Sequence, residues 1–400
     1  MLPIELWRAV LEYAFAECEL PKLDANEDII QLEPFPYGGI DPSVSPYPQK
    51  CKISFVCRLW REISEEFIYR HLVAHDIDSL HSLKMLITLP AYTRVHTIST
   101  NDQNHRRRGI WAHSLTFKDS GRMPISTLRG YSFRIEKCIL DIIQFLPNLR
   151  LLSIHGVETV TGLVPKSLLQ RLPNTLIGLS FVDAPFEVNF RNVPPRLREK
   201  LHFFGRGEIE GWSSPGPLSS SQLRCLSIDA YVVDCNSWSI PNLAFLIITR
   251  RKERIDDSWI IFLQKVGKAL LRLEMINNTA LPWILDILDT RFLRWCTQLH
   301  TLALDLLRFS ILPGSSSDCP SIKRLVLVVR REDDSRDLVT KILLALHSIS
   351  KWINECLTHL SEVILSVPWG FSSSGKMGLH VPYEEVVKVV ANHAVRIAYY

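Results

Sequence analysis

A chain of 400 residues, 46% apolar and 22% charged, is globular in composition and too long for one ordinary compact core. A net charge of +4 is small for this length and does not argue for a nucleic-acid binder, whose basic residues would usually form a dominant patch, so a nucleic-acid partner is not expected. No apolar run approaches the roughly 18 residues of a membrane span, and no membrane partner is expected either.

The N-terminus, MLPIELWRAVLEYAF, has neither a basic leader nor a small-residue cleavage site, so no signal peptide is expected. Nine cysteines with scattered spacing look like a reduced set rather than a disulfide framework. Both points predict an intracellular protein, cytoplasmic or nuclear.

The first element predicted is a short helix. Pro3 sits where a first-turn proline is tolerated, because its missing N–H would be unpaired there anyway. Leu6, Val10 and Tyr13 make one side of this helix, and Trp7, Leu11 and Phe15 another. From Glu17 to Gln49 follow six prolines and the pair Gly38–Gly39, a composition that predicts an exposed loop between two packed helices. The second helix lies in KISFVCRLWREISEEFIYRHL. Ile53, Val56, Trp60, Ile63 and Phe67 form one continuous apolar stripe suited to a core. Phe55 and Leu59 form a shorter second stripe that runs on into Glu62 and Glu66. This stripe suits either a partner helix or a neighbouring helix of the same domain.

These residues resemble a known motif. Leu2-Pro3-x-Glu5-Leu6-Trp7 followed by Val56-Cys57-Arg58-x-Trp60-Arg61-x-Ile63 looks like the F-box, in the form found in large fungal, basidiomycete-type families where a loop splits the helices. The resemblance implies a small helical module that docks on the Skp-type adaptor of an SCF-type cullin ubiquitin ligase. It makes Leu2, Pro3, Leu6, Phe55, Val56 and Leu59 the adaptor-facing or supporting residues and Trp60 an internal anchor. The insert at about 17–49 departs from the motif and leaves its middle helix unassigned.

Beyond this module a template, L-x-x-L-x-apolar, recurs. It begins at Leu149, Leu176, Leu223, Leu243, Leu270, Leu299, Ile322 and Leu360. Several copies follow the same punctuation: LPNL at 146–149, LPNTL at 172–176 and IPNL at 240–243. Weaker candidates lie around Val95–Ile98 and Leu115–Phe117. A short strand places the second and third apolar residues on one face and cannot bury that face alone, so copies must stack side by side. Ser258–Leu271 and Leu338–Leu357 read as helices between strands. The unit is strand, turn, helix, and it resembles an irregular leucine-rich-repeat solenoid. An ordinary α/β domain with Leu-rich strands is the other reading.

The expected fold is therefore mixed α/β: a helical F-box-like module at 1–75, then a leucine-rich-repeat-like domain at 76–400 of parallel strands and helices. The tail, Pro382 to Tyr400, reads as a helix capping the stack.

In such a stack the residues alternating with the buried ones would face an open concave surface. These include Ser153, Ser180, Ser227, Asp229, Ile247, Thr249, Glu274, Ala303, Asp305, Val326 and Ile364. The mixture of polar and aliphatic groups suits protein recognition. Two strands run into arginine pairs, Arg250-Arg251 and Arg330-Arg331. On one rim, at about 4.8 Å per strand, the pairs would stand about 15 Å apart. They read either as a clamp for carboxylates or phosphates or as solvated loops with local charge pairing. The expected target-binding set is Asp229, Thr249, Arg250, Arg251, Glu274, Asp305, Arg330 and Arg331.

No G-x-S-x-G, H-E-x-x-H, Walker loop or C-x-x-C is present. Gly205-x-Gly207 reads as a loop, His105 to Arg108 as a solvated loop, and Cys356-x-x-His359 as a helical core pair. No catalytic residue, metal or cofactor is expected. The function expected from the resemblance is a substrate receptor of an SCF-type ligase, with the Skp-type adaptor and an unknown target protein as partners. The alternative is a leucine-rich-repeat scaffold without a ligase.

Overall fold

A computed structural model describes residues 4–16, 58–88, 108–118, 128–155, 162–163, 166–181, 186–187, 193–206, 219–229, 238–250, 257–277, 286–288, 290–307, 309–311, 321–329, 338–367, 383–390 and 393–399. The chain divides into two compact units, with the described residues of the first before Pro215 and those of the second after Gly216.

In the first unit, α1 (Ile4–Ala16) and α2 (Arg58–Arg70) precede β1 (His71–Ala74). Then come α3 (Ile77–Thr88), a 3-10 turn at Arg108–Trp111, β2 (Ser114–Lys118), α4 (Leu128–Ile143) and β3 (Leu151–His155). The short β4 (Gly162–Leu163), α5 (Lys166–Arg171), β5 (Gly178–Phe181), the short β6 (Phe186–Glu187), α6 (Pro195–Arg198) and β7 (Phe203–Arg206) complete it. Strands β1, β2, β3, β5 and β7 are neighbours in that order and all parallel.

The second unit holds β8 (Cys225–Asp229), β9 (Phe245–Arg250), α7 (Asp257–Val266) with a 3-10 turn at Gly267–Ala269, and β10 (Arg272–Asn277). It continues with the short β11 (Asp286–Leu288), a 3-10 turn at Thr290–Trp295, β12 (Thr301–Asp305) and β13 (Phe309–Ile311). Last come β14 (Arg324–Val328), α8 (Leu338–Cys356), β15 (Glu362–Val367), α9 (Tyr383–Val389) and β16 (Ala394–Tyr399). Strands β8, β9, β10, β12, β14, β15 and β16 follow one another, again all parallel.

The architecture is thus mixed α/β, with parallel strands in repeat-like succession and helices in several of the intervals between them. The template residues form the core: Leu149, Leu152 and Ile154 are buried, and so are Leu243, Leu246 and Ile248 and the corresponding residues of β10, β12, β14 and β15. Helices close the same side with Ile135, Ile139 and Ile142 on α4, Phe262 and Leu263 on α7, and Ile342, Leu346 and Ile353 on α8. One hydrogen-bond arrangement recurs at the strand entrances. The carbonyl of His113 accepts from the amides of both Arg150 and Leu151, that of Arg150 from Ile177 and Gly178, and that of His300 from Lys323 and Arg324, at 2.8–3.0 Å. Each entrance thus holds the next, which fixes the register. The asparagines of the LPN and IPN punctuation add a second tie: Asn148 Nδ2 donates to the Ile110 carbonyl at 2.7 Å and Asn242 Nδ2 to the Ser221 carbonyl at 2.8 Å.

Several expectations are corrected. The tail at 382–400 is not one helix: α9 ends at Val389 and Ala394–Tyr399 is a strand paired with β15. The buried Gly205 lies within β7, where a Cβ would strike Ser180 Oγ. Arg108 is buried and ion-paired with Glu65 at 2.7 Å, its guanidinium 5.1 Å from the Tyr69 ring. Cys356 ends α8 and is buried, while His359 lies in the following turn and is exposed. The weak candidate Leu115–Phe117 is strand β2 with both residues buried; Val95–Ile98 lies outside the described residues. Helix α2 passes into β1 without an intervening residue.

Candidate functional site

Two surfaces carry the candidate residues. The first is the α1–α2 pair. Leu11 packs with Ile63 and Phe67 of α2, and Trp7 and Trp60 lie against that cluster. The four-residue spacing of Trp7 and Leu11 puts both on the α2 side, and the same spacing puts Leu6 and Val10 on another side, each 50% exposed. Arg8, between them, pairs with Glu66 of α2, which also meets Arg70 at 3.4 Å. The helix α1 is therefore held by an apolar seam and a charged tie, and presents Leu6 and Val10 outward.

Of the expected adaptor-facing residues, Leu6 is on this outward side. Leu59 lies in α2, and its side chain is outside the described set. Leu2, Pro3, Phe55 and Val56 lie outside the described residues. Val10 joins the candidate set; its i,i+4 relation to Leu6 was the available signal.

The other candidates lie on the second face of the strands, described in each unit by itself. Expected to face a concave recognition surface, most of the described positions between β3 and β15 are buried. In the first unit Ser153 and Ser180 are buried; in the second Ser227, Ile247, Glu274, Ala303, Asp305, Val326 and Ile364 are buried. Glu274 and Asp305 are 1% and 0% exposed, so neither is available to a target protein. Glu274 instead pairs with Arg272 two residues earlier on β10, at 2.6 Å. The Arg272 guanidinium stands 5.1 Å from the Phe245 ring. Burial pushes the Glu274 carboxyl up from its ordinary value, with Arg272 acting against it. Burial likewise pushes the Cys225 thiol well up, and the nearby Glu274 charge adds to this. Beside this polar pair lies an apolar cluster of Ala303, Val326, Val328 and Ile364.

Asp229, Thr249 and Arg250 lie on β8 and β9, where Asp229 pairs with Thr249 in register; their side chains are outside the described set. Arg251, Arg330 and Arg331 lie outside the described residues. Strands β9 and β14 are three steps apart in the parallel order.

A charged group not anticipated from sequence lies toward the β16 end of this face. Arg324 Nε donates to Glu362 Oε2 at 2.7 Å, and Arg396 Nε lies 3.5 Å from Glu362 Oε1. These residues are far apart in sequence, and only the strand register brings them together.

Among the described residues no cluster of His, Cys, Asp and Glu could hold a metal ion, and no helix is long and apolar enough to cross a membrane. No model of a known protein family matches the chain, and no curated protein matches it.

Proposed function

We propose that this chain is a substrate receptor of an SCF-type ubiquitin ligase, with α1 and α2 docking the Skp-type adaptor and the repeats holding a target protein. The observation that carries the reading is the sidedness of α1. Trp7 and Leu11 are committed to α2, while Leu6 and Val10 stand half exposed on a helix of high apolar content. An apolar stripe left outside a packed helix pair suits a groove-forming partner helix. The sequence resemblance to the F-box names that partner.

In this reading the chain makes and breaks no bonds. It raises the effective concentration of a target beside a separate modifying enzyme, and its contribution is orientation. The fit between parts supports this. Helix α2 runs directly into β1, and Glu65 of α2 is locked to Arg108 beside β2. A docked adaptor would therefore hold the first strands in a fixed orientation.

The same junction favours a second reading, a repeat scaffold whose α1 and α2 cap the first strand. The two are separated by a pull-down of the full chain with purified Skp-type adaptor, beside a Leu6→Asp/Val10→Asp variant. Capture that is lost in the folded variant supports the receptor. No capture by the wild-type chain leaves the scaffold.

A further inference from the structure

Strand β16 ends the strand order of the second unit. It pairs with β15 along its whole length, from Glu362↔Ala394 to Val367↔Tyr399. Among the described residues no strand lies on its other side. The Ala394 amide donates to the Ser361 carbonyl. In a parallel ladder the main-chain groups of alternate residues point to opposite neighbours. Ala394, Arg396 and Ala398 therefore direct theirs to β15, and Val395, Ile397 and Tyr399 turn theirs outward. Tyr383 of α9 agrees with this alternation: its hydroxyl donates to the Val395 carbonyl at 3.2 Å. The edge is accessible, with Ala394 and Arg396 exposed and Val395 and Ile397 half-buried. The strand that ends the first unit's order, β1, offers only four residues.

Charge sets the kind of strand this edge accepts. Glu362 stands between Arg324 and Arg396, so two guanidinium groups share one carboxylate. Arg396 remains 56% exposed; α9 carries exposed Glu384 and Glu385 as well as Lys388, so the selection for an acid rests on Arg396 itself. We propose that β16 receives an extended peptide segment of a partner protein as an added strand, with an aspartate or glutamate of that segment seated on Arg396. Main-chain hydrogen bonds to the Val395 N–H and to the outward groups of Ile397 and Tyr399 supply the attachment, beyond the Val395 carbonyl that Tyr383 already engages, and the acidic side chain supplies the selectivity. A second copy of this chain fits less well, because antiparallel self-pairing of β16 sets the two Arg396 side chains near one another as like charges. The inference does not depend on adaptor docking and would hold for a scaffold.

The test uses the full chain and a displayed library of random short peptides. Selected peptides should carry Asp or Glu alternating with β-branched residues. A synthetic copy of a selected peptide should bind Arg396→Glu about tenfold more weakly or worse, the scale of one lost charge-assisted hydrogen bond. Binding should also fail for Ile397→Pro, which removes an outward N–H without touching the β15 ladder. Circular dichroism identifies a variant that fails to fold. Arg396→Glu, a change at an exposed side chain, tests the proposal independently of Ile397→Pro. No enrichment, or equal binding by folded variants, overturns the proposal. A dimer by light scattering that Ile397→Pro converts to monomer overturns it in favour of self-pairing.

Discussion

Trp7 of α1 meets Trp60 of α2 with ring centroids 5.0 Å apart and planes tilted by 57°. Leu11, 2% exposed, lies one turn further along α1 on the same seam. Truncating Leu11 to Ala should cost about 2–5 kcal/mol in urea unfolding, because it opens a cavity between two helices. Leu6→Asp, on the outward side of the same helix, should change stability by no more than about 0.5 kcal/mol. Equal costs at the two positions would contradict the sidedness of α1.

The Glu65–Arg108 pair joins α2 to the turn before β2, with both side chains buried. Removing one partner strands a charge. Arg108→Met should therefore destabilise by about 3–5 kcal/mol, while the double replacement Glu65→Met/Arg108→Met should recover most of that loss. Denaturant titration of the two variants checks the difference. A double variant as unstable as the single one would show that the pair is not the link.

How far the sequence reveals this fold depends on which residue fills each buried position. Where it is Leu or Ile, as in Leu149, Leu243 or Ile322, the template finds the strand. It misses β1, where Tyr69, Leu72 and Ala74 are the buried set, and it barely registers β2, where Ala112 stands in the first position. It also misses β7, where Leu201 and Phe204 fill the wide interval between Leu176 and Leu223. The pattern tracks burial, and Tyr, Ala and Phe satisfy burial as well as Leu.

The covered second face was legible in principle. Strands such as FLIITR and RLVLV are near-continuous apolar runs, the mark of parallel strands buried on both faces. A search for alternation passes over that mark. The Arg324–Glu362–Arg396 group had no local signal at all, since register alone assembles it.

Glu274 is buried beside Arg272, and burial holds its carboxyl above the ordinary 4.5. The folded chain therefore binds this proton more tightly than the unfolded chain does. The stability it contributes is fully present below pH 4.5 and is lost as pH rises through the raised value. Glu274→Gln removes this titration. Unfolding both proteins across the window just above pH 4.5 should show the wild type losing stability relative to the variant as pH rises. A difference that does not change with pH would contradict the assignment.

At Gly109 an added Cβ would run into the main-chain oxygen of Phe145. Gly109→Ala should cost about 1–3 kcal/mol or more, since main chain has little room to yield. Gly178→Ala meets a terminal methyl of Leu151, which can rotate, and should cost less. Thermal unfolding of the two variants gives the order directly.

The proposed receptor role requires adaptor docking through α1. A calorimetric titration of the full chain into purified Skp-type adaptor, with wild type beside Leu6→Asp/Val10→Asp, measures it. The expected result is one-to-one binding by the wild type and its loss in a variant that unfolds at the same denaturant concentration. Absence of binding by the wild type, or undiminished binding by the variant, would contradict it.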